Sequence, residues 1–229
     1  MARRPDPQTP PPGKSDRERI IEAFLALAAE RPFSEIGFTD IAARAGLTLG
    51  RVRGEFDSVV SIIAAHIRAI DRQVLDGIDA DMAEETPRER LFDVLMRRLE
   101  ALAPHKSAIR SITRAARCNP PLAFALNCLT VRSQQWMLTA AGISSSGLRG
   151  GIRAQGLACI YADVLRTWLD DDDPGLARTM AALDRGLARG QHWSRCLDDL
   201  CARLPNPCRR RWRPRDRHAN DPGEQPAVV

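Results

Sequence analysis

The sequence predicts an all-α fold, and three observations predict it. Apolar residues recur at the spacing of one helix face along most of the chain, no run of alternating β-branched residues occurs, and capping residues, prolines and glycines punctuate the periodic stretches. With 229 residues, 44% hydrophobic and 28% charged, the chain is long enough to bury a core without disulfides and suits a small module joined to a larger one. No stretch approaches the roughly 20 apolar residues of a membrane span, and the N-terminal MARRPDPQTPPPGK lacks the apolar centre of a secretion signal. A cytoplasmic location is the expectation.

Ser15 opens the first helix, with Ile20, Ile21, Phe24, Leu27 and Ala28 on one side, and it closes before Pro32. Thr39 is placed to cap a short helix over 40–45 that ends at Gly46. Thr48 is placed to cap another from Leu49 to about Phe56, and Ser58 a longer one carrying Ile62, Ile63, His66, Ile67 and Ile70. Thr86-Pro87-Arg88-Glu89 reads as a capping box with proline at the first helical position, followed by the seam Leu91, Leu95, Leu99 and Leu102. A break at Pro104 precedes a helix to about Arg117. Asn119 then caps a helix that runs through Trp136 to Ala141 and is stopped by Gly142. A helix over about 149–169 and a partner starting at Asp173-Pro174 form a hairpin joined by an acidic turn over 170–173, read as a cap and solvated turn.

The segment FTDIAARAGLTLGRVRGEF has helix-turn-helix spacing. Ile41, Ala42 and Ala45 face inward, Gly46 permits the turn, and Leu47 and Val52 close the core, which leaves the second helix free to enter a major groove. Thr39, Arg44, Thr48, Leu49, Gly50, Arg51 and Arg53 are the expected DNA-contacting residues, with cations for phosphate and backbone N–H groups at the capped helix start. The expected partner is a double-stranded DNA operator. Charge is distributed unevenly. The net +5 comes from the two termini, the segments 1–14 and 205–229, while the stretch between them is neutral and the segment 15–72 holds eight cations against nine anions.

Across 15–72 the pattern of a helix, GFT, IA, AGLT, a glycine, a valine, F-D-S and an apolar helix resembles the TetR-type transcriptional regulators. The resemblance implies a three-helix DNA-binding head on a helical body that holds a ligand cavity and dimerises. Two positions depart from the family pattern, Arg53 standing for an aromatic and Val59 for a lysine, both of which contact phosphate in the family. Further on, Trp168, Leu169, Asp171, Pro174, Thr179, Leu183, Asp184, Arg185 and Leu187 follow a pattern similar to ubiquinone-biosynthesis lipid-binding proteins of the same fold. That second resemblance implies a lipid- or isoprenoid-binding accessory protein with a membrane-contacting helix, which the segment 193–204 would supply.

The expected organisation is a disordered arm over 1–14, a helix-turn-helix domain over 15–72, a ligand and dimer domain over 73–192, a short amphipathic helix over 193–204 and a disordered basic tail over 205–229. A small apolar or lipid-like ligand is expected between facing helices, with Phe92, Met96, Phe124, Trp136, Met137 and Tyr161 as candidate cavity walls. The candidate homodimer face comprises Tyr161, Leu165, Trp168, Met180, Leu183 and Leu187. Six cysteines contain no CxxC pair, so neither a metal nor another cofactor is expected; Cys118, Cys128 and Cys159 read as small buried hydrophobes. Phosphate loops, nucleophile elbows and paired ligand carboxylates are missing from the sequence, which argues against an enzyme. A ligand-responsive DNA-binding regulator is the first reading and the lipid-binding accessory protein the alternative.

Overall fold

The computed structural model describes residues 13–78 and 84–203, with side chains as far as 191. The α-helices are α1 (Asp16–Glu30), α2 (Phe38–Ala45), α3 (Leu49–Glu55), α4 (Val59–Asp76), α5 (Pro87–Leu102), α6 (Lys106–Arg117), α7 (Pro120–Ala140), α8 (Gly147–Leu169) and α9 (Ala177–Arg203). Short 3-10 turns at Phe33–Glu35 and Ala103–His105 link α1 to α2 and α5 to α6, and no strand occurs among the described residues.

The helix starts follow from local hydrogen-bonding chemistry. At α1 the Glu18 carboxylate accepts from Ser15 N at 2.8 Å while Glu18 N donates to Ser15 Oγ at 3.3 Å. Thr86 and Glu89 repeat this reciprocal cap at α5, with Pro87 filling a position whose N–H would have no helical partner. Asn119 Oδ1 accepts from Leu122 N at 3.0 Å to start α7. The start of α2 differs from the sequence expectation. Its N-cap is Gly37, not Thr39, because the Asp40 carboxylate accepts from Gly37 N at 2.9 Å and satisfies the first turn two residues earlier.

Two separate cores result. The head core gathers Ile20, Phe24, Leu27, Ile41, Ala42, Val52, Phe56 and Ile62 from the first four helices and takes Ala108 and Ile112 from α6. The body core gathers Ile70, Val74, Leu91, Leu95, Leu99, Met137, Leu157, Trp168, Leu183 and Leu187. Helix α4 belongs to both, its first half to the head and its second to the body. Each fully buried Leu, Ile or Phe contributes about 1.5–3 kcal/mol of transfer free energy, so a helix anchored in two cores resists moving relative to either.

The α8–α9 hairpin departs from the expected solvated turn. Asp171 is 2% exposed, and its Oδ2 accepts from Thr179 N at 2.9 Å and Thr179 Oγ1 at 2.7 Å, which fastens the turn to the first residues of α9. Thr179 beside it holds the Asp171 carboxyl below the usual carboxylate range. Only Asp170, Asp172 and Asp173 are exposed, and α9 begins at Ala177, not at Pro174. Gly186 allows the two helices to close, since a Cβ there would lie 2.6 Å from Ile160 Cγ2. Helix α9 continues through Arg203 without a break at 193, so the backbone over 193–203 extends the hairpin instead of forming a separate short helix; the side chains there, the tail over 205–229 and the arm over 1–12 lie outside the described residues.

Two further expectations are corrected. Cys118, Cys128 and Cys159 are exposed, because each lies on the outward side of its helix or at its end. Tyr161, Trp168, Leu183 and Leu187 are 0–6% exposed within the single chain, where hairpin packing consumes them, so they are not available to a second copy; Met180 is exposed and Leu165 partly buried. No helix among the described residues is long and apolar enough to cross a membrane.

Candidate nucleic-acid interface and interior cavity

The turn between α2 and α3 is made by Gly46 at φ 64°, ψ 38°, a left-handed conformation that favours glycine. Arg19 of α1 donates to Ala45 O at 2.6 Å and Gly46 O at 3.4 Å, satisfying carbonyls that the turn frees. Thr48 Oγ1 accepts from Arg51 N at 3.3 Å and starts α3. Val52 and Phe56 then bury one side of α3 against the head, while Leu49, Gly50, Arg51, Arg53 and Gly54 are all exposed. Gly50 has only Thr48 Oγ1 near a built Cβ, at 3.9 Å, and Gly54 has nothing within 4 Å. Neither glycine is demanded by internal packing, yet each costs about 0.5–1 kcal/mol in a helix relative to alanine. They leave the outward backbone of α3 open to close approach.

The cations on this surface are not free. Arg51 pairs with Asp16 Oδ2 at 2.5 Å, Arg53 with Asp57, and Arg44 with Glu30. Thr39 is exposed on α2, Thr48 is exposed at the start of α3, and Leu49 is 50% exposed. All seven sequence-predicted contact residues therefore reach the surface of the head. Val59, the first residue of α4, packs partly buried on the head core and makes no cationic contribution.

Below the head lies a cavity of about 400 Å³, walled by α1, α4, α5, α6, α7 and α8. Its apolar lining includes Phe24, Ile63, Leu102, Ile109, Leu126 and Leu165. Of the sequence-predicted wall residues only Tyr161 lines it. Met96 and Met137 fill the body core, Phe92 packs partly buried on that core, and Phe124 and Trp136 are 71% and 56% exposed on the outer side of α7. The misplacement has a simple cause: aromatic and methionine content does not tell a bundle's interior void from its packed seam, and small and aliphatic residues such as Ala123, Ala158 and Ala162 make this void.

A buried polar network touching this cavity has no counterpart in the sequence reading. Arg98 of α5, 3% exposed, donates from Nε to Asp71 Oδ1 of α4 at 3.1 Å and from a terminal nitrogen to the Tyr161 hydroxyl of α8. Ser133 Oγ of α7 donates to the same Asp71 oxygen at 2.7 Å. Burial opposes the charge on Arg98, but Tyr161 and Asp71 hold it protonated, and burial pushes the Tyr161 hydroxyl up so that it keeps its proton. His66 of α4 lines the same cavity, 8% exposed, with Nε2 lacking a partner; burial, the His105 ring at 4.9 Å and Arg98 push it down to about 4. A signal for this network was present, because Asp71, Arg98 and His66 all sit on otherwise apolar helical stripes.

Helix α6 links cavity and head. Its Ala108 and Ile112 enter the head core, while Lys106 donates to Asp171 O at 2.6 Å and Arg110 to Leu169 O at the end of α8. No group of three or more metal-ligating side chains occurs among the described residues.

A helix-turn-helix head seated through shared helices on a cavity-bearing helical body defines a recognisable class of architecture, and solved structures match it. A TetR transcriptional regulator from Nitrosomonas europaea superposes with a TM-score of 0.62 at 22% identity, covering 78% of this chain and 99% of its own. One from Rhodococcus sp. RHA1 gives 0.53 at 21%, covering 76% and 95%, and a TetR-family regulator from Streptomyces coelicolor gives 0.52 at 16%, covering 81% and 87%. The chain has the TetR-regulator fold. No family model matches it, and no curated protein matches it in sequence.

The second resemblance has a structural account. Trp168, Leu183 and Leu187 are core, Asp171 and Thr179 bind one another across the turn, and Asp184 pairs with Arg88 at 2.8 Å. These residues close a helical hairpin, which any protein of this architecture needs, whatever it binds.

Proposed function

We propose that the protein is a dimeric, ligand-responsive DNA-binding transcriptional regulator. The observation that carries this reading is the outward face of α3, which pairs surface arginines with two glycines that internal packing does not require. Such a face suits close approach of a duplex, with Arg51 and Arg53 exchanging their carboxylate partners for phosphates or base edges. The structural neighbours named above as transcriptional regulators support the same reading.

The cavity supplies the responsive element. A ligand among α4, α6 and α8 touches helices anchored in both cores, so a shift that accommodates it changes how the head sits on the body. In a symmetric dimer that change alters the distance between two α3 helices, which must sit about one duplex turn apart. The outer faces of α8 and α9, with exposed Ile152, Cys159 and Met180 and the Arg166–Asp163–Arg189 charges, are the surface we assign to the second copy.

Fluorescence anisotropy with genomic fragments flanking the gene tests the reading. One fragment should bind specifically as a protein dimer, with affinity falling as salt rises. Equal, weak binding to every fragment would overturn it. Copurified prenyl lipid and flotation with liposomes, without specific DNA binding, would favour the lipid-accessory reading.

A further inference from the structure

Resting on the reading of this cavity as the ligand site, we propose that its ligand is an organic acid: a carboxylate on an apolar body, the head group held by Arg98 and Tyr161 with His66 beside it. The argument begins with what the lining offers. Most of the wall is aliphatic, which selects an apolar body. The lining also contains three arginines, Arg98, Arg117 and Arg166, and neither Asp nor Glu. Asp71 balances Arg98 from behind, its Oδ1 accepting from Arg98 Nε and Ser133 Oγ, and it does not itself line the cavity. Among the described residues the lining side chains that carry charge are therefore all cationic, with Arg166, like Arg98, facing a carboxylate, Asp163 at 3.5 Å.

The hydrogen-bonding groups point to the same chemistry. Several polar groups at this wall are spent on the protein: Thr113 and Thr130 donate to carbonyls of their own helices, and Asn127 exchanges two bonds with Gln155 at 3.1 Å each. The buried uncommitted N–H and O–H groups are those of Arg98 and Tyr161. A guanidinium carries five N–H groups, and among the described residues two of Arg98's are committed, one to Asp71 and one to Tyr161. The Tyr161 oxygen accepts from Arg98 and has its own proton left to give. His66 Nε2, on a side chain more than nine-tenths buried, has no partner among the described residues and, in the neutral ring, donates or accepts according to tautomer. A carboxylate brings several acceptor sites and no donor, which fits this inventory better than an alcohol, an amine or a bare hydrocarbon. Arg117, exposed at the rim and without an ion pair among the described residues, supplies attraction at the entrance.

Isothermal titration of the full-length protein with octanoate, octanamide and octylammonium tests the proposal, because the three share a body and differ in head group. Octanoate should bind about tenfold tighter than octanamide, as a charge-assisted hydrogen bond predicts, and octylammonium should not bind measurably. Asp71→Asn with Arg98→Gln keeps the buried pair's charge balance; it should bind octanamide like the wild type and lose the preference for octanoate. Because that variant perturbs a buried network, Arg117→Gln serves as the second arm: its side chain is exposed and lies outside the surface assigned to the second copy, so neither folding nor assembly is at stake, and octanoate alone should weaken, with a smaller salt dependence. Equal or tighter binding of octanamide, preference for octylammonium, or a preference for octanoate that survives in both variants would overturn the proposal and leave the cavity reading standing. Failure of all three probes to bind would overturn the cavity reading along with it.

Discussion

The head and the body are built from the same material, amphipathic helices sharing α4, but they place their polar groups oppositely. The head core is apolar throughout, and its charges sit outside in pairs such as Arg51 with Asp16 and Arg53 with Asp57. The body instead buries Asp71, Arg98, Ser133, Gln134 and, at its boundary with the head, His66. A buried ion pair is weak evidence of stabilisation, since apolar residues of the same volume often do as well. The contrast teaches where each region is specialised: the head for holding an outer surface rigid, the body for presenting polar groups to an interior void.

The largest expected effect breaks the body's network on one side. Arg98→Met strips the buried Asp71 of its cation, leaving Ser133 as its partner among the described residues, so denaturant melts should show a loss of about 3–5 kcal/mol. Asp71→Asn combined with Arg98→Gln should lose markedly less. Equal losses would mean that the cost lies in packing and not in charge.

Acid sharpens the comparison next. His66 carries an ordinary value of 6.5 when unfolded and about 4 when folded, so the unfolded chain binds the extra proton between those values. Stability is therefore full above pH 6.5 and falls as pH is lowered toward 4, by about 3 kcal/mol across the window. The carboxylates with lowered values, Asp40, Glu18, Glu89 and Asp171, act mainly below this range, because their ordinary values are 3.8 to 4.5. His66→Leu should reduce the slope of the melt-against-pH curve between pH 6.5 and 5, the remainder coming from His105, which burial also lowers from 6.5; an unchanged slope would assign the titration to another group. A smaller effect comes from Gln134, fully buried with neither amide atom partnered among the described residues. Gln134→Leu should stabilise by about 1–3 kcal/mol, the cost of an unsatisfied polar group, and a destabilised variant would show that the amide is satisfied in solution.

The same division explains what the sequence disclosed. The helices, their caps at Ser15, Thr48, Ser58, Thr86 and Asn119, and the exposure of α3's outward side are legible because capping and amphipathic spacing are local. The cavity is not, because it is bounded by six helices and its wall depends on where small residues fall opposite one another. Of the candidate wall residues only Tyr161 lines it, and the stripe at Leu183 and Leu187 packs inside the chain, since a stripe buried within a chain and one buried between chains have the same spacing. Arg98, Asp71 and His66 interrupt apolar stripes and were readable in principle; a charge at such a position marks either a surface or a buried partnership, and only the fold decides which. Asp171 shows the opposite case, an acid in a run of four whose burial depends on Thr179 eight residues on.

The central claim is that the outward face of α3 recognises DNA, and Arg51→Ala with Arg53→Ala tests it most directly. Both side chains are more than half exposed and their ion pairs lie at the surface, so the melt should stay within about 0.5 kcal/mol of the wild type. Anisotropy titration against the specific fragment and a scrambled one should show specific binding reduced to the level of the scrambled duplex, with a shallower salt dependence from the two lost phosphate-competent cations. Specific binding equal to that of the wild type, in a variant with an unchanged melt, would contradict the account.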